Sequence, residues 1–258
     1  MNKALLVVSF GTSYAETRER TIGAIEKKLA ERFPDRMVRR AWTSSFLIKK
    51  VAKAEGLVVD TPEEALAKLA AEGARDVIVQ PTHLSDGYEN QRLMEIVKGF
   101  AGRFERIAAG RPLLDTEDDR DAVAQLLPKL CLGDTAGRAL LLMGHGSDKH
   151  PVPVYEQLQE AFAKASDNIF VGTVEGTPTF GEAKAKLDAS GYKDVVLAPL
   201  MIVAGDHAIN DMAGDEPDSW KCLLDAGGYS TDVIMAGLGE YKEIQALFAE
   251  HAAQAERI

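Results

Sequence analysis

Five histidines occur in 258 residues, and two of them stand where side chains could do chemistry. His145 lies in Gly144-His145-Gly146, at the end of the apolar run Leu140-Leu141-Leu142-Met143. His207 lies in Gly205-Asp206-His207, after the apolar run that begins at Val195. Each reads as an imidazole beyond the carboxyl end of a buried strand, where open α/β sheets place their ligands. The glycines around His145 read as room for a large group to approach the backbone. Imidazole nitrogen suits first-row metals such as cobalt, nickel, iron and zinc, and it also takes a proton near neutrality. A third donor stands at another strand end, in Phe170-Val171-Gly172-Thr173-Val174-Glu175-Gly176. His145, Glu175 and His207 therefore predict a divalent-metal site of two histidines and one carboxylate with open positions, which names a ligand field and not a reaction. His150 and His251 read as surface residues, and His83, just past a strand, as a buried core histidine or a functional one.

These residues need a frame, and the sequence repeats one. Lys3 to Phe10 reads as a strand, 16–33 as a helix stopped by Pro34, 37–42 as a strand, 46–54 and 61–71 as helices, and 76–81 as a strand. Residues 90–104 then read as a helix, 106–109 as a strand and 118–130 as a helix. The polar, glycine-bounded stretch 133–137 is the expected junction, dividing the chain into halves 1–134 and 135–258, with the closing helix free to pack on the first. Strands at 138–144, 168–174, 194–203 and 233–236 alternate with helices at 154–165, 179–189, 220–226 and 241–255. Lys3-Ala4-Leu5-Leu6-Val7-Val8 aligns with Arg138-Ala139-Leu140-Leu141-Leu142-Met143, which sets Phe10 opposite His145. Asp76-Val77-Ile78-Val79-Gln80-Pro81 aligns with Asp194-Val195-Val196-Leu197-Ala198-Pro199, which sets Glu89 opposite His207. The expected fold is α/β: two similar Rossmann-like halves, each a mainly parallel sheet flanked by helices, with a cleft between them.

Composition narrows the function classes. Hydrophobic residues make up 46% and charged residues 27%, as in ordinary globular proteins, and no apolar run approaches the roughly 18 residues of a membrane span. The opening apolar run is short and lacks a small-residue cleavage site, so it reads as a first strand and the chain as cytoplasmic. Cys131 and Cys222 are far apart, which fits a reducing compartment, and both read as small buried hydrophobes. A formal net charge of −10 argues against nucleic-acid binding.

Three segments together resemble a known family. Ala4-Leu5-Leu6-Val7-Val8-Ser9-Phe10-Gly11-Thr12-Ser13, Met143-Gly144-His145-Gly146 and, above all, the run from Pro199 to Ala213 followed by Asp218-Ser219-Trp220-Lys221 are similar to the CbiK-type anaerobic sirohydrochlorin cobaltochelatases of cobalamin biosynthesis. That resemblance covers essentially the whole chain and implies the class II chelatase fold. It implies ATP-independent insertion of Co2+ into sirohydrochlorin with loss of two pyrrole protons. It also implies that His145, Glu175 and His207 match the family's metal-binding residues, that His145 or His207 acts as a base, and that Glu89 supports proton removal or substrate contact from the first half. No cofactor is expected beyond the substrate metal, Co2+, with Fe2+ and Ni2+ as further metals in vitro. The expected partners are sirohydrochlorin and cobalt, with no nucleic acid and no membrane, and homo-oligomer formation is left open. Eight carboxylates on sirohydrochlorin call for donors at the mouth of the site, with Arg92 and Lys149 as side-chain candidates and the Gly11-Thr12-Ser13 and Gly146-Ser147 loops as backbone ones. Two other functions stay open at this point: a sirohydrochlorin ferrochelatase, and a two-lobed protein that binds a metal or tetrapyrrole without transforming it.

Overall fold

The computed structural model describes residues 2–133 and 137–258. Two compact units form, the first from residues 1–115 and 242–258 and the second from 116–241. Residues 134–136, the centre of the junction expected from the sequence, lie outside the described residues.

In the first unit, strand β1 (Lys3–Ser9) is followed by helix α1 (Ala15–Arg18), a π-helical turn and α2 (Ala24–Arg32). Strand β2 (Met37–Trp42), helices α3 (Ser45–Glu55) and α4 (Pro62–Ala71), strand β3 (Asp76–Pro81), helix α5 (Tyr88–Gly99) and strand β4 (Arg106–Ala109) come next. The second unit contains α6 (Glu117–Leu132), β5 (Arg138–Gly146), α7 (Val154–Ala165), β6 (Ile169–Glu175), α8 (Phe180–Ser190), β7 (Asp194–Leu200), α9 (Trp220–Ala226) and β8 (Ser230–Val233). The chain then returns to the first unit with α10 (Lys242–Ala253), which packs on α2, and β9 (Glu256–Arg257), antiparallel to β4.

Both sheets have the same plan. Their orders are β2-β1-β3-β4-β9 and β6-β5-β7-β8, and apart from β9 every pairing is parallel. Even the register repeats: Lys3 lies opposite Asp76 in the first sheet and Arg138 opposite Asp194 in the second. The two central strands are the apolar runs of the sequence because parallel sheets covered by helices bury both faces. Ala4 to Val8 and Ala139 to Met143 are all fully buried. One face of the first sheet packs against Leu66 and Leu69 of α4 and Leu93 and Val97 of α5. The corresponding core of the second joins Leu141 and Met143 to Leu187 of α8 and Trp220 and Leu224 of α9.

Several boundaries differ from the expectations, each for a local reason. The helix expected over 16–33 is interrupted by a π-turn at Glu19–Gly23, where the buried Thr21 hydroxyl donates to the Thr17 carbonyl at 2.6 Å. The strand expected to reach residue 203 ends at Leu200, because the Met201 and Ile202 carbonyls accept from the backbone of Leu238 and Gly239 instead. The last strand of the second sheet lies at 230–233 and not at 233–236, since its ladder with β7 starts at Ser230, a polar residue that periodicity passes over. The α5 helix starts at Tyr88, earlier than expected, and stops at Gly99. His251 is a core residue and not a surface one: with Ile244, Phe248 and Ala252 it lies on the buried face of α10, and its Nδ1 is 3.3 Å from the Arg111 carbonyl. Both cysteines are half-buried. Burial pushes the Cys131 thiol up to about 11, against a smaller opposing hydrogen bond with Tyr241.

Candidate metal and substrate site

His145 is carried on the last turn of pairing of β5, where Gly146 lies opposite Glu175 of β6. Its two glycines are explained by close packing and not by an open approach. A Cβ on Gly144 would stand 2.3 Å from the Tyr155 ring, and one on Gly146 would stand 1.7 Å from the Glu175 carbonyl oxygen. Gly146 also has φ +73°, a left-handed conformation that disfavours side chains. The Tyr155 hydroxyl accepts a 3.2 Å hydrogen bond from Gly146 N–H, and burial holds that phenol above its ordinary pKa. With the strand end locked, the exposed His145 ring turns its Nδ1 onto the Gly146 carbonyl at 2.8 Å. A carbonyl only accepts, so Nδ1 is the donor in this contact, and in the neutral ring Nε2 is the atom left to bind a metal.

His207 is fixed by a different device. After β7 the loop is held by the backbone bonds from Leu238 and Gly239, and Gly205 accepts from Ile209 N–H as a short π-helical segment, Ala208–Met212, begins. Ala208 and Met212 are fully buried and anchor this segment in the core. His207 precedes it, and Asp211, four residues on, accepts from its Nδ1 at 2.7 Å. That contact again leaves Nε2 as the free donor atom. A carboxylate behind a metal-binding imidazole fixes the tautomer and strengthens the ligand. The two rings meet edge to face, with centroids 4.7 Å apart and planes at 89°.

The structure thus brings two of the proposed residues together. Glu175 is exposed, opposite Gly146 in the ladder, and among the described residues no group of three His, Cys, Asp or Glu side chains is arranged to hold a metal ion. Glu89 is in the other unit, in the first turn of α5, with its Oε2 buried and without a hydrogen-bond partner. His83, beyond β3, is nine-tenths buried with neither ring nitrogen in a formed hydrogen bond. Burial pushes its pKa down to about 4, against a weaker opposing contact with Asn90. His150 is exposed, as expected. Asp211 was not singled out from the sequence; the signal was its helical spacing of four residues from His207. Ser219 and Trp220 of the second long motif are structural: Ser219 caps α9 by accepting from Cys222 N–H, and Trp220 fills the core.

Two imidazoles with Nε2 turned away from their tethers are donors of the kind a divalent metal enters and leaves, and among the described residues no closed group of His, Cys, Asp and Glu surrounds them. Known proteins share this frame and its sequence. The family model for cobalt chelatase (CbiK) matches residues 3–257. The chain belongs to the CbiK cobalt chelatase family. Within that family, the sirohydrochlorin cobaltochelatase of Salmonella typhimurium is 40% identical over 255 residues, covering 99% of this chain and 97% of the relative. The sirohydrochlorin cobaltochelatase CbiKC of Nitratidesulfovibrio vulgaris is 32% identical over 253 residues, covering 96% and 89%. Among solved structures, SirB from Bacillus subtilis with Fe3+ superposes with a TM-score of 0.66 at 15% identity, covering 98% of this chain and 95% of that one. The last likeness is one of fold, and it shows this cobalt chelatase to have the architecture expected from the repeated strands.

Proposed function

We propose that the chain inserts Co2+ into sirohydrochlorin, without ATP, in the anaerobic route to cobalamin. The observation that carries the reading is the His145 and His207 pair, each ring tethered through Nδ1 and presenting Nε2, on a chain of the cobalt chelatase family. Co2+ is a substrate here and must be surrendered, so two imidazoles with exchangeable positions serve better than a closed thiolate set. Glu175, exposed on the adjacent strand end, is the third donor of this account.

As Co2+ enters the ring, two pyrrole N–H bonds break and two metal–nitrogen bonds replace them; two positive charges enter and two protons leave. Bases must take those protons. His145 or His207, once the metal has left it, serves as one, and Glu89, with an unpartnered carboxylate oxygen, is a candidate for another or for contact with the ring. Asp211 would hold the His207 imidazolium that forms. The chain works in the cytoplasm in this reading, in keeping with its two separate thiols. No helix among the described residues is long and apolar enough to cross a membrane.

Mixing purified protein with sirohydrochlorin and Co2+ and following visible absorption tests the reading. Faster insertion than in the protein-free mixture is expected; equal rates would overturn it. Initial rates with Co2+, Fe2+ and Ni2+ at equal free metal then rank the metals, and a faster Fe2+ reaction would reassign the chain to siroheme synthesis.

A further inference from the structure

In the first unit a cavity of about 130 Å3 opens between the first turns of α3, α4 and α5. Its polar lining is Thr43, Ser45, Thr61, Glu63, Glu89 and Arg92, over an apolar floor from α5. Arg92 and Glu89 are three residues apart on α5, close enough to pair with each other, and they do not. Among the described residues neither makes a hydrogen bond or ion pair, so the exposed guanidinium and the half-buried carboxylate both border the space without a protein partner.

Two unsatisfied buried polar atoms also belong to the cavity lining, Thr43 Oγ1 and Glu89 Oε2. Buried polar groups are nearly always paired in a finished structure, and two exceptions around one space mark a place that something else completes. The lining offers two donors, the Arg92 guanidinium and the Thr43 hydroxyl, and an acceptor, Glu89. A ligand that fits carries an anionic group and an N–H. Glu63 and Arg92 are both exposed at the rim, where water screens their charges, and the Arg92 guanidinium has no protein acceptor of its own, so it can take an anionic group that enters the space. Ordinary pockets for a whole drug-sized ligand measure roughly 300–1,000 Å3, so this one takes a substituent and not a ring.

We propose that this cavity is the subsite for one carboxylate arm of the tetrapyrrole substrate, with Arg92 as its charged partner and Thr43 as its hydroxyl donor, leaving Glu89 to accept from an N–H of the same molecule. The proposal rests on the chelatase reading above and assigns the residues that orient the macrocycle.

The test is a titration of metal-free sirohydrochlorin into the full chain, read by its absorption, together with steady-state insertion kinetics. Arg92→Gln should raise the Kd and the KM for sirohydrochlorin about tenfold, with the larger part of the change in KM, and leave the KM for Co2+ unmoved. Arg92→Lys should recover part of the loss. Thr43→Val removes a hydroxyl that has no partner, so the folded chain should be as stable as the parent while the macrocycle binds several-fold more weakly. Lys98→Gln, on the far turn of α5, controls for charge and should change nothing. Unaltered Kd and KM in both Arg92→Gln and Thr43→Val, in a chain that still inserts cobalt, would overturn the subsite alone. A parent chain that neither binds sirohydrochlorin nor speeds insertion would overturn the chelatase reading itself.

Discussion

At the end of its central strand the first unit carries Phe10 and Gly11, and at the same place the second carries His145 and Gly146. At the end of the neighbouring strand the first has Trp42, fully buried, and the second has Glu175, exposed. After the third strand the first has Glu89 and the second His207. Apart from β9, strand order and the register of the two central strands are the same in both. The frame is therefore not what distinguishes them; single side chains at three strand ends are. The two facing imidazoles, which we propose as metal donors, lie in the second unit, while the first keeps an exposed phenylalanine and a set of unpartnered polar atoms.

Replacing the proposed donors of the second unit should give the largest effect. His145→Ala and His207→Ala should each lower the rate of cobalt insertion by more than about a hundredfold with the circular dichroism spectrum unchanged. Full activity in either would place the metal elsewhere. The glycines that follow Phe10 and His145 separate frame from function more finely. Gly11 and Gly146 both have positive φ, and an added Cβ would stand 2.7 Å from the Trp42 ring in one case and 1.7 Å from the Glu175 carbonyl in the other. Alanine at either position should cost about 1 to 3 kcal/mol in denaturant unfolding, Gly146 the more, because its obstacle is backbone. Only Gly146→Ala should also weaken Co2+ binding, and equal metal affinity in both variants would erase the functional difference between the units. Asp211→Asn should lower metal affinity about tenfold or somewhat more by loosening the His207 tautomer. An unchanged affinity would make Asp211 a surface residue that merely touches the ring.

The last prediction touches stability and not cobalt insertion, and concerns the buried histidine of the first unit. His83 titrates at about 4 when folded against an ordinary 6.5, so the unfolded chain binds the proton more readily. Stability is fully present above pH 6.5 and falls as pH drops toward 4, by up to on the order of 3 kcal/mol from this group. His83→Gln should flatten urea unfolding across that window; identical pH slopes in the two proteins would show that His83 is reached by solvent.

Much of this was legible in the residues. Buried central strands read as continuous apolar runs, and the duplicated Lys3 and Arg138 strands already gave the correspondence that the register displays. His145 and His207 stand out because each follows a buried apolar run in a loop that contains glycine. The reason for those glycines was not legible, since it depends on Tyr155 and on the Glu175 backbone crowding them from elsewhere in the chain. His251 was misjudged although its spacing from Ile244 and Phe248 put it on the buried face of α10. The short strand at Ser230 escaped because its place is set by hydrogen bonds to β7 and not by apolar periodicity. The unpartnered atoms around Glu89 and Thr43 could not be seen at all, because a missing hydrogen bond is a property of packing.

The central claim is that the second unit alone supplies the imidazoles that hold the metal. Titrating Co2+ into the full chain and recording its visible ligand-field bands addresses it directly. The account predicts one Co2+ per chain with nitrogen-donor bands that disappear in the His145→Ala, His207→Ala double variant. Bands of unchanged position and midpoint in that variant would contradict it.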